Sequence, residues 1–165
     1  MFLIDWFSGI SHSLATFLIA MFPIGELRAS LPIALTVYHL DFWGAFILSI
    51  AGNLVPALLL LIILDPVSKF AENHSQLIHR FLNWLYERTR TRHNHKFEVY
   101  KDLALVLFVA IPLPFTGVYT GAIAAYVFGV PFRRAFPLIV LGVIIAAVIV
   151  SIITLGSKGL INVII

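Results

Sequence analysis

The sequence predicts an all-α integral membrane protein built as an inverted repeat. Each repeat would contain a re-entrant helical hairpin and one transmembrane helix, and an amphipathic cytoplasmic linker helix would join the repeats. Three observations indicate this fold class: the apolar composition, two similar interruptions of apolar segments, and the placement of the basic residues.

The composition is that of a membrane protein. Of the 165 residues, 61% are hydrophobic and 12% are charged, and the mean hydropathy is +1.01. In soluble domains roughly half of the residues are apolar and about a quarter are charged. Intervals without Asp, Glu, Lys or Arg, each about as long as a membrane span, cover residues 6–25, 42–64, 103–132 and 135–157. The absence of cysteine excludes disulfides, thiol catalysis and cysteine metal sites.

The first repeat is predicted over residues 10–64. Helices over 10–22 and 26–38 are separated by Pro23-Ile24-Gly25, and each is roughly 20 Å long. Neither crosses a ~30 Å hydrocarbon core alone, so we expect a re-entrant hairpin. Residues 42–64 are long enough to cross, and Asp65-Pro66 is expected to end this helix.

The linker is predicted over residues 65–101, the only polar region of the chain. Its apolar residues recur at helical spacing among charged ones, which predicts an amphipathic helix lying in the membrane interface. His93 and His95 leave a metal site open as an alternative, but a solvated basic loop is the favoured interpretation. We therefore expect neither a metal nor a cofactor.

The second repeat is predicted over residues 102–157. A short helix over 103–111 would break at Pro112-Leu113-Pro114, resume over 117–128 and precede a final span over 135–155. A shift of 90 positions pairs Glu26 with Thr116, and identities in this alignment include Phe42/Phe132 and Gly52/Gly142. Because a hairpin plus one crossing ends on the opposite side of the membrane, the second copy would be inverted, as in many secondary transporters.

The basic residues predict the orientation in the cell (inner or plasma) membrane. Under the hairpin interpretation, nearly all of them lie on one side: Lys69, Arg80, Arg88, Arg90, Arg92, Lys96, Lys101, Arg133 and Arg134. The positive-inside rule then makes the linker cytoplasmic and both termini external. Four simple kinked spans are the alternative, and they would place Arg133 and Arg134 outside.

Two charged residues are candidates for function because ionised groups in lipid are expensive. Glu26 opens a half-helix, where it is either a capping carboxylate or a proton or cation site. Arg28 lies in the first turn, against the helix dipole, and therefore requires an anion nearby. Residues two apart point to nearly opposite faces, so we do not expect Glu26 and Arg28 to pair; a second subunit or a substrate anion is the candidate partner of Arg28.

Neutral residues complete the candidate site. Thr116 and Thr120 can supply hydroxyls at the opposing half-helix, and Asn53 either bonds another helix or lines the site. The predicted substrate- or proton-binding residues are Glu26, Arg28, Asn53, Thr116 and Thr120. The predicted hairpin-break residues are Pro23, Gly25, Pro32, Pro112, Pro114, Gly117 and Gly121.

The two interruptions resemble the two signatures of the small multidrug export protein family. They are Phe22-Pro23-Ile24-Gly25-Glu26-Leu27-Arg28 with Pro32, and Ala110-Ile111-Pro112-Leu113-Pro114-Phe115-Thr116-Gly117 through Thr120-Gly121. The resemblance covers nearly the whole chain and implies a relation to DedA-type membrane proteins, which have paired re-entrant hairpins and are linked to lipid-carrier transport. The chain departs from the family pattern at Phe115, where glycine is usual, and at Tyr119, where tryptophan is common. It also lacks the arginine that DedA-type proteins tend to have in the second hairpin.

The expected function is secondary transport, with proton-coupled export of small amphipathic molecules as the first hypothesis. The alternative is a flippase for an anionic lipid or polyprenyl-phosphate carrier, and a structural or assembly factor is a third class. No catalytic triad or P-loop is present in the sequence, so we expect no enzyme. The expected partners are membrane lipid, a small-molecule or lipid substrate and a second copy of the chain, contacted through Gly142, Ala146 and Ala147. Nucleic acid is not expected.

Overall fold

The computed structural model describes residues 10–74, 95–112 and 116–164. Within these ranges all regular secondary structure is helical, which confirms the predicted all-α class. The described helices are α1 (His12–Met21), α2 (Glu26–Thr36), α3 (Phe42–His74), α4 (His95–Ala110), α5 (Val118–Val127) and α6 (Phe132–Ile164).

Helices α1 and α2 pack against each other and form the first helix pair. The Ser11 hydroxyl caps α1 by accepting a hydrogen bond from the Leu14 N–H, at 3.4 Å. The helix ends where Phe22 turns to an extended conformation ahead of Pro23, since the residue before a proline disfavours the α-helical conformation. With 10 and 11 residues, both helices are shorter than the predicted 13.

Helix α3 is longer than the sequence indicated. The prediction that Asp65-Pro66 ends this helix is wrong, because α3 continues through Pro66 to His74. A proline inside a helix removes one backbone hydrogen bond, here the one to the Ile62 carbonyl, and the other bonds of the helix can still form. Residues 65–74 thus belong to α3 and residues 95–101 to α4. The remainder of the predicted linker lies outside the described residues, and it includes His93, one of the two histidines of the suggested metal site.

The two halves of the chain contain matching helices. Helix α3 begins at Phe42 and α6 at Phe132, which are 90 positions apart, and each helix has 33 residues. Each long helix packs against the first helix of its own half at a glycine. Gly52 lies against the Phe17 carbonyl of α1, and Gly142 lies against the Val106 carbonyl of α4. These correspondences agree with a repeated unit, while the inversion of the second copy stays a prediction.

The two long helices contain segments that are long and apolar enough to cross a membrane, Phe42–Leu64 and Phe132–Ser157. Their outer faces carry large apolar side chains such as Ile62 and Ile152, each more than half exposed. Their inner faces meet α2 and α5 in a common core. Gly142, Ala146 and Ala147, the expected dimer contact, are buried inside the chain. The prediction that these three form a subunit surface is therefore wrong, because they are used for packing between helices of one copy.

Candidate functional site

The site forms where the first helix pair meets the break between α4 and α5. Arg28, in the first turn of α2, reaches across to residues on both sides of this break. Its guanidinium donates hydrogen bonds to the Thr116 hydroxyl at 2.9 Å, to the Thr116 carbonyl, and to the Ile111 carbonyl at 3.5 Å. The Thr116 hydroxyl in turn donates to the Ile111 carbonyl at 2.8 Å, so this carbonyl accepts from both Arg28 and Thr116.

Glu26 binds the start of the facing helix. Its carboxylate accepts hydrogen bonds from the backbone N–H groups of Val118 and Tyr119, the first two residues of α5. These N–H groups have no partner within their own helix, and the helix dipole favours a negative charge at this end. The sequence left open whether Glu26 is a cap. The structure shows a cap, but for α5 rather than for the helix that Glu26 begins.

The two charged residues therefore bind opposite helix ends. Glu26 is placed at the N-terminus of α5, and Arg28 at the Ile111 carbonyl, directly after α4 ends at Ala110. Carbonyl groups at a helix C-terminus carry the negative end of the dipole, which attracts a cation. In this structure the partners of Arg28 are neutral backbone and hydroxyl oxygens of the second break, and an anion as its partner stays a prediction.

The backbone on both sides of this contact is unusual. Glu26 has φ 49°, a left-handed conformation that is uncommon for residues other than glycine. Gly117, the N-cap residue of α5, has φ 146°, which is accessible to glycine but rarely to residues with a side chain. A Cβ atom on Gly117 would overlap the Glu26 carboxylate. Glycine is therefore required at position 117 both by its backbone conformation and by the approach of Glu26.

Tyr119 supplies a third link between the two helix pairs. Its hydroxyl donates a hydrogen bond to the carbonyl of Met21, the last residue of α1. Sequence reasoning noted Tyr119 only as a departure from the family pattern and did not place it in the site. The available signal was its position, three residues after Thr116 and at the start of a half-helix. We refer below to the bonds made by Glu26, Arg28 and Tyr119 between the helix pairs as the inter-pair contact.

A cavity of about 470 Å³ lies beside the inter-pair contact. It is lined by Pro23, Ile24, Gly25, Glu26, Arg28, Thr116, Tyr119 and Thr120. This volume is in the range of small-molecule sites, about 300–1,000 Å³. Glu26 is 8% exposed, Arg28 is partly exposed, and the Thr120 hydroxyl is directed back to the Gly117 carbonyl at 3.4 Å. The cavity thus combines one acid, one base and three hydroxyl groups within an apolar protein.

The structure brings together four of the five predicted binding residues, since Asn53 does not line this cavity. Among the predicted break residues, Pro23 and Gly25 lie between α1 and α2, and Pro112 follows α4. Pro32 and Gly121 lie inside α2 and α5 instead. Gly121 serves close packing, because a Cβ atom there would lie 2.5 Å from a methyl group of Val109. Pro114 is outside the described residues.

Taken together, the apolar helices and the charged cavity between two helix breaks define a helical membrane protein with a small-molecule-sized site. Residues 26–149 match the family model described as "Putative small multi-drug export protein", and the chain belongs to this family. The matched region includes Glu26, Arg28, Thr116, Tyr119 and Thr120. No curated protein and no solved structure matches the chain. The family assignment from the two signatures is confirmed, while the relation to DedA-type proteins stays a prediction.

Proposed function

We propose that this protein is a secondary transporter that exports small amphipathic molecules, and that the cavity at the helix breaks is its substrate site. The observation that carries the proposal is the pairing of Glu26 and Arg28 with opposite ends of the second break, beside a cavity of about 470 Å³. The family description and the two long apolar helices support membrane export. Nothing in this chemistry calls for bond making or breaking, so we propose transport rather than catalysis.

The inter-pair contact gives the transporter a mechanism for opening. In the structure the carboxylate of Glu26 and the guanidinium of Arg28 hold the first helix pair to the second break. A hydrogen bond to a charged group contributes about 1.5–3 kcal/mol, roughly twice the neutral value. Protonation of Glu26 removes the negative charge that the N-terminus of α5 stabilises, and this weakens the inter-pair contact. A proton is therefore a natural coupling ion for separating the two helix pairs.

The membrane arrangement belongs to the same proposal. Each helix pair would be a re-entrant hairpin, the two halves would be inverted relative to each other, and the linker would be cytoplasmic with both termini external. Helices α1, α2 and α5 have 10 or 11 residues, about 15 Å each, which is half of a ~30 Å hydrocarbon core. In a homodimer the second copy would help to enclose the cavity. The contact between the copies would use a surface other than Gly142, Ala146 and Ala147.

A flippase for an anionic lipid carrier is the second candidate, and one observation favours it. Ile24 lines the cavity and is 92% exposed, so an apolar side chain forms the outer edge of a charged site. In a membrane this edge would face acyl chains, which is where a lipid would enter. Arg28 would then bind the phosphate of the headgroup, since guanidinium groups match phosphate geometry.

Transport by the purified protein in proteoliposomes tests both candidates. We expect efflux of a cationic amphipathic dye to exceed that of protein-free vesicles, and Arg28→Ala to abolish the difference. Arg134→Ala is the matched control, because Arg134 forms an ion pair with Asp102 at 2.7 Å on an exposed surface outside the cavity. Movement of a fluorescent anionic phospholipid, without movement of the dye, would replace export by flipping. Failure of both substrates to move in wild-type vesicles would overturn the transport proposal.

A further inference from the structure

Three buried polar side chains lie in the core without the partners such groups normally have. Ser30 and Ser49 are fully buried and Asn53 is 3% exposed. The Ser30 hydroxyl, the Ser49 hydroxyl and the Asn53 side-chain carbonyl have no hydrogen-bond partner among the described residues. Leaving a buried polar atom unpaired is costly, so three such oxygens require a physical explanation.

Other buried hydroxyls in the apolar helices behave differently. Thr16 donates to the His12 carbonyl at 2.8 Å, and Ser151 donates to the Ala147 carbonyl at 2.7 Å. This bond to the carbonyl four residues earlier is the usual solution for a serine or threonine inside a helix. Ser30 and Ser49 do not make it, although their helices offer the same carbonyl positions. Their oxygens remain available to something else.

Helix register places these residues at similar heights along two neighbouring helices. Ser49 and Asn53 are four residues apart in α3 and share one face of that helix. Helix α2 packs against α3 and is joined to it by the short turn over residues 37–41, which makes the two helices antiparallel neighbours. At 1.5 Å per residue, Ser30 lies roughly 9 Å before the end of α2 and Ser49 roughly 10 Å after the start of α3. Asn53 is one turn further along α3, at the level of Glu26.

The backbone supplies an additional oxygen at this level. Pro56 in α3 has no N–H, so it cannot donate the usual helical hydrogen bond to the carbonyl of Gly52, next to Asn53. The second half keeps only part of this pattern. Shifted by 90 residues, Ser49 and Asn53 become Ile139 and Val143, both of which are buried in the hydrophobic core, whereas Ser30 becomes Thr120. The pair of polar residues in α3 is therefore a feature of the first half alone.

We propose that Ser30, Ser49 and Asn53 form a binding site for a monovalent cation, Na⁺. The available ligands are neutral oxygen atoms, which suit a hard cation, and the set lacks the carboxylates that a divalent ion would require. Glu26 lies one helical turn before Ser30 in α2, so the same helix carries an acidic residue close in sequence to the site. Side-chain oxygens together with helix carbonyls freed from their donors coordinate Na⁺ in other secondary transporters. Binding at this site does not depend on the proposed transport of amphipathic molecules.

Thermal unfolding of the purified full chain in detergent tests the site. Melting midpoints are compared in NaCl, KCl and choline chloride at equal ionic strength. We expect saturating NaCl to raise the midpoint on the order of 3 °C above the other salts, because a ligand that binds only the folded state stabilises it. Binding of radioactive ²²Na⁺ to the same preparation gives a direct second measurement.

Variants locate the effect. Ser49→Ala and Asn53→Leu should abolish both the NaCl-specific shift and ²²Na⁺ binding, and both should fold, since each removes an unpaired polar group from an apolar core. Ser151→Ala is the matched control, because the Ser151 hydroxyl is equally buried but already bonded to Ala147. Equal midpoints in all three salts together with no ²²Na⁺ binding would overturn the proposal, and so would a sodium effect that survives in Asn53→Leu. Neither readout involves transport, so failure of the transport assay leaves this test unaffected.

Discussion

The carboxylate of Glu26 occupies the space that a Cβ atom of Gly117 would need, and both residues have positive φ angles. The contact joins the start of α2 to the start of α5, from opposite halves of the chain. The two residues fit each other, because the glycine leaves room for the carboxylate and the carboxylate pairs the N–H groups that follow the glycine. Residues held in sparsely populated conformations tend to occur at functional sites.

Gly117→Ala is expected to disrupt the inter-pair contact. The new methyl group would overlap the Glu26 carboxylate, and alanine disfavours φ 146°. We expect a loss of about 1–3 kcal/mol in unfolding free energy and a loss of transport. Gly156→Ala is the control, because a Cβ atom at position 156 in α6 meets nothing within 4 Å. There the substitution should be neutral or stabilising by up to about 1 kcal/mol. Equal behaviour of the two variants in melts and vesicle assays would contradict this account.

Arg28→Lys is expected to fail in transport although it keeps the positive charge. Three oxygens around the second break accept from one guanidinium nitrogen, Nη2, and the shorter lysine side chain would have to place its ammonium at the same point. Thr116→Val should cost less, on the order of 1 kcal/mol, because it removes the hydroxyl and keeps the Thr116 carbonyl. Arg134→Lys is the matched control, since exposed ion pairs contribute only about 0–1 kcal/mol. Dye efflux and melting midpoints of the three variants are compared with those of the wild type. Wild-type efflux in Arg28→Lys would show that transport does not require a guanidinium at position 28.

Tyr119→Phe tests the residue that sequence reasoning missed. The substitution removes the hydrogen bond to the Met21 carbonyl and keeps the ring, so we expect a loss of about 0.5–1.5 kcal/mol in unfolding free energy. Tyr100→Phe, in an exposed part of α4, serves as the control and should leave the melting midpoint unchanged. If Tyr119→Phe also melts like the wild type, the third link does not contribute to holding the helix pairs together.

The topology can be tested by labelling, because the chain contains no cysteine and single cysteines can be introduced freely. Under the hairpin arrangement a cysteine at Asp41 should react with an impermeant maleimide from outside intact cells. A cysteine at Arg134 should react only after permeabilisation. Both positions are exposed in the structure. External labelling at position 134 would favour four simple kinked spans.

Part of the site can be predicted from the sequence, because charged side chains are energetically costly in an apolar segment. A carboxylate and a guanidinium in an apolar segment are expensive enough that Glu26 and Arg28 stand out in the sequence alone, and proline and glycine mark the breaks. The sequence does not show which groups these two residues bind, because their partners Ile111, Thr116 and Val118 lie more than 80 positions away. Tyr119 was missed for the same reason, since its partner is a carbonyl at the end of α1. Asn53 was grouped with the charged residues by polarity, whereas its helix face directs it into the core, beside Ser49.

Helix length was less predictable than helix position. The sequence predicts that Pro66 ends α3, but the helix continues past it to His74. A single proline removes one backbone hydrogen bond and leaves the other bonds of the helix in place. Pro32 and Pro56 are likewise inside helices. Proline does end helix α1 at Phe22, because Gly25 follows Pro23 by two residues and the chain turns there. The breaks are therefore set by proline and glycine together, and proline alone is a weak signal in this chain.

Proton coupling depends on whether the Glu26 carboxyl changes its charge during transport. Glu26→Gln preserves the size of the side chain and an oxygen that can accept the N–H groups of Val118 and Tyr119, so we expect the variant to fold. It cannot gain or lose a proton, and dye efflux should therefore lose its dependence on pH, whereas wild-type efflux should vary across the series. Asp41→Asn is the matched control: Asp41 also accepts a backbone N–H at a helix start, from Gly44 at 2.7 Å, but it is exposed and outside the cavity. Its efflux should keep the wild-type pH profile.

Melting curves recorded beside the assay separate a folding defect from a coupling defect. Full, pH-responsive efflux in Glu26→Gln would reduce this residue to a cap on α5, and the coupling ion would then have to be sought elsewhere in the chain.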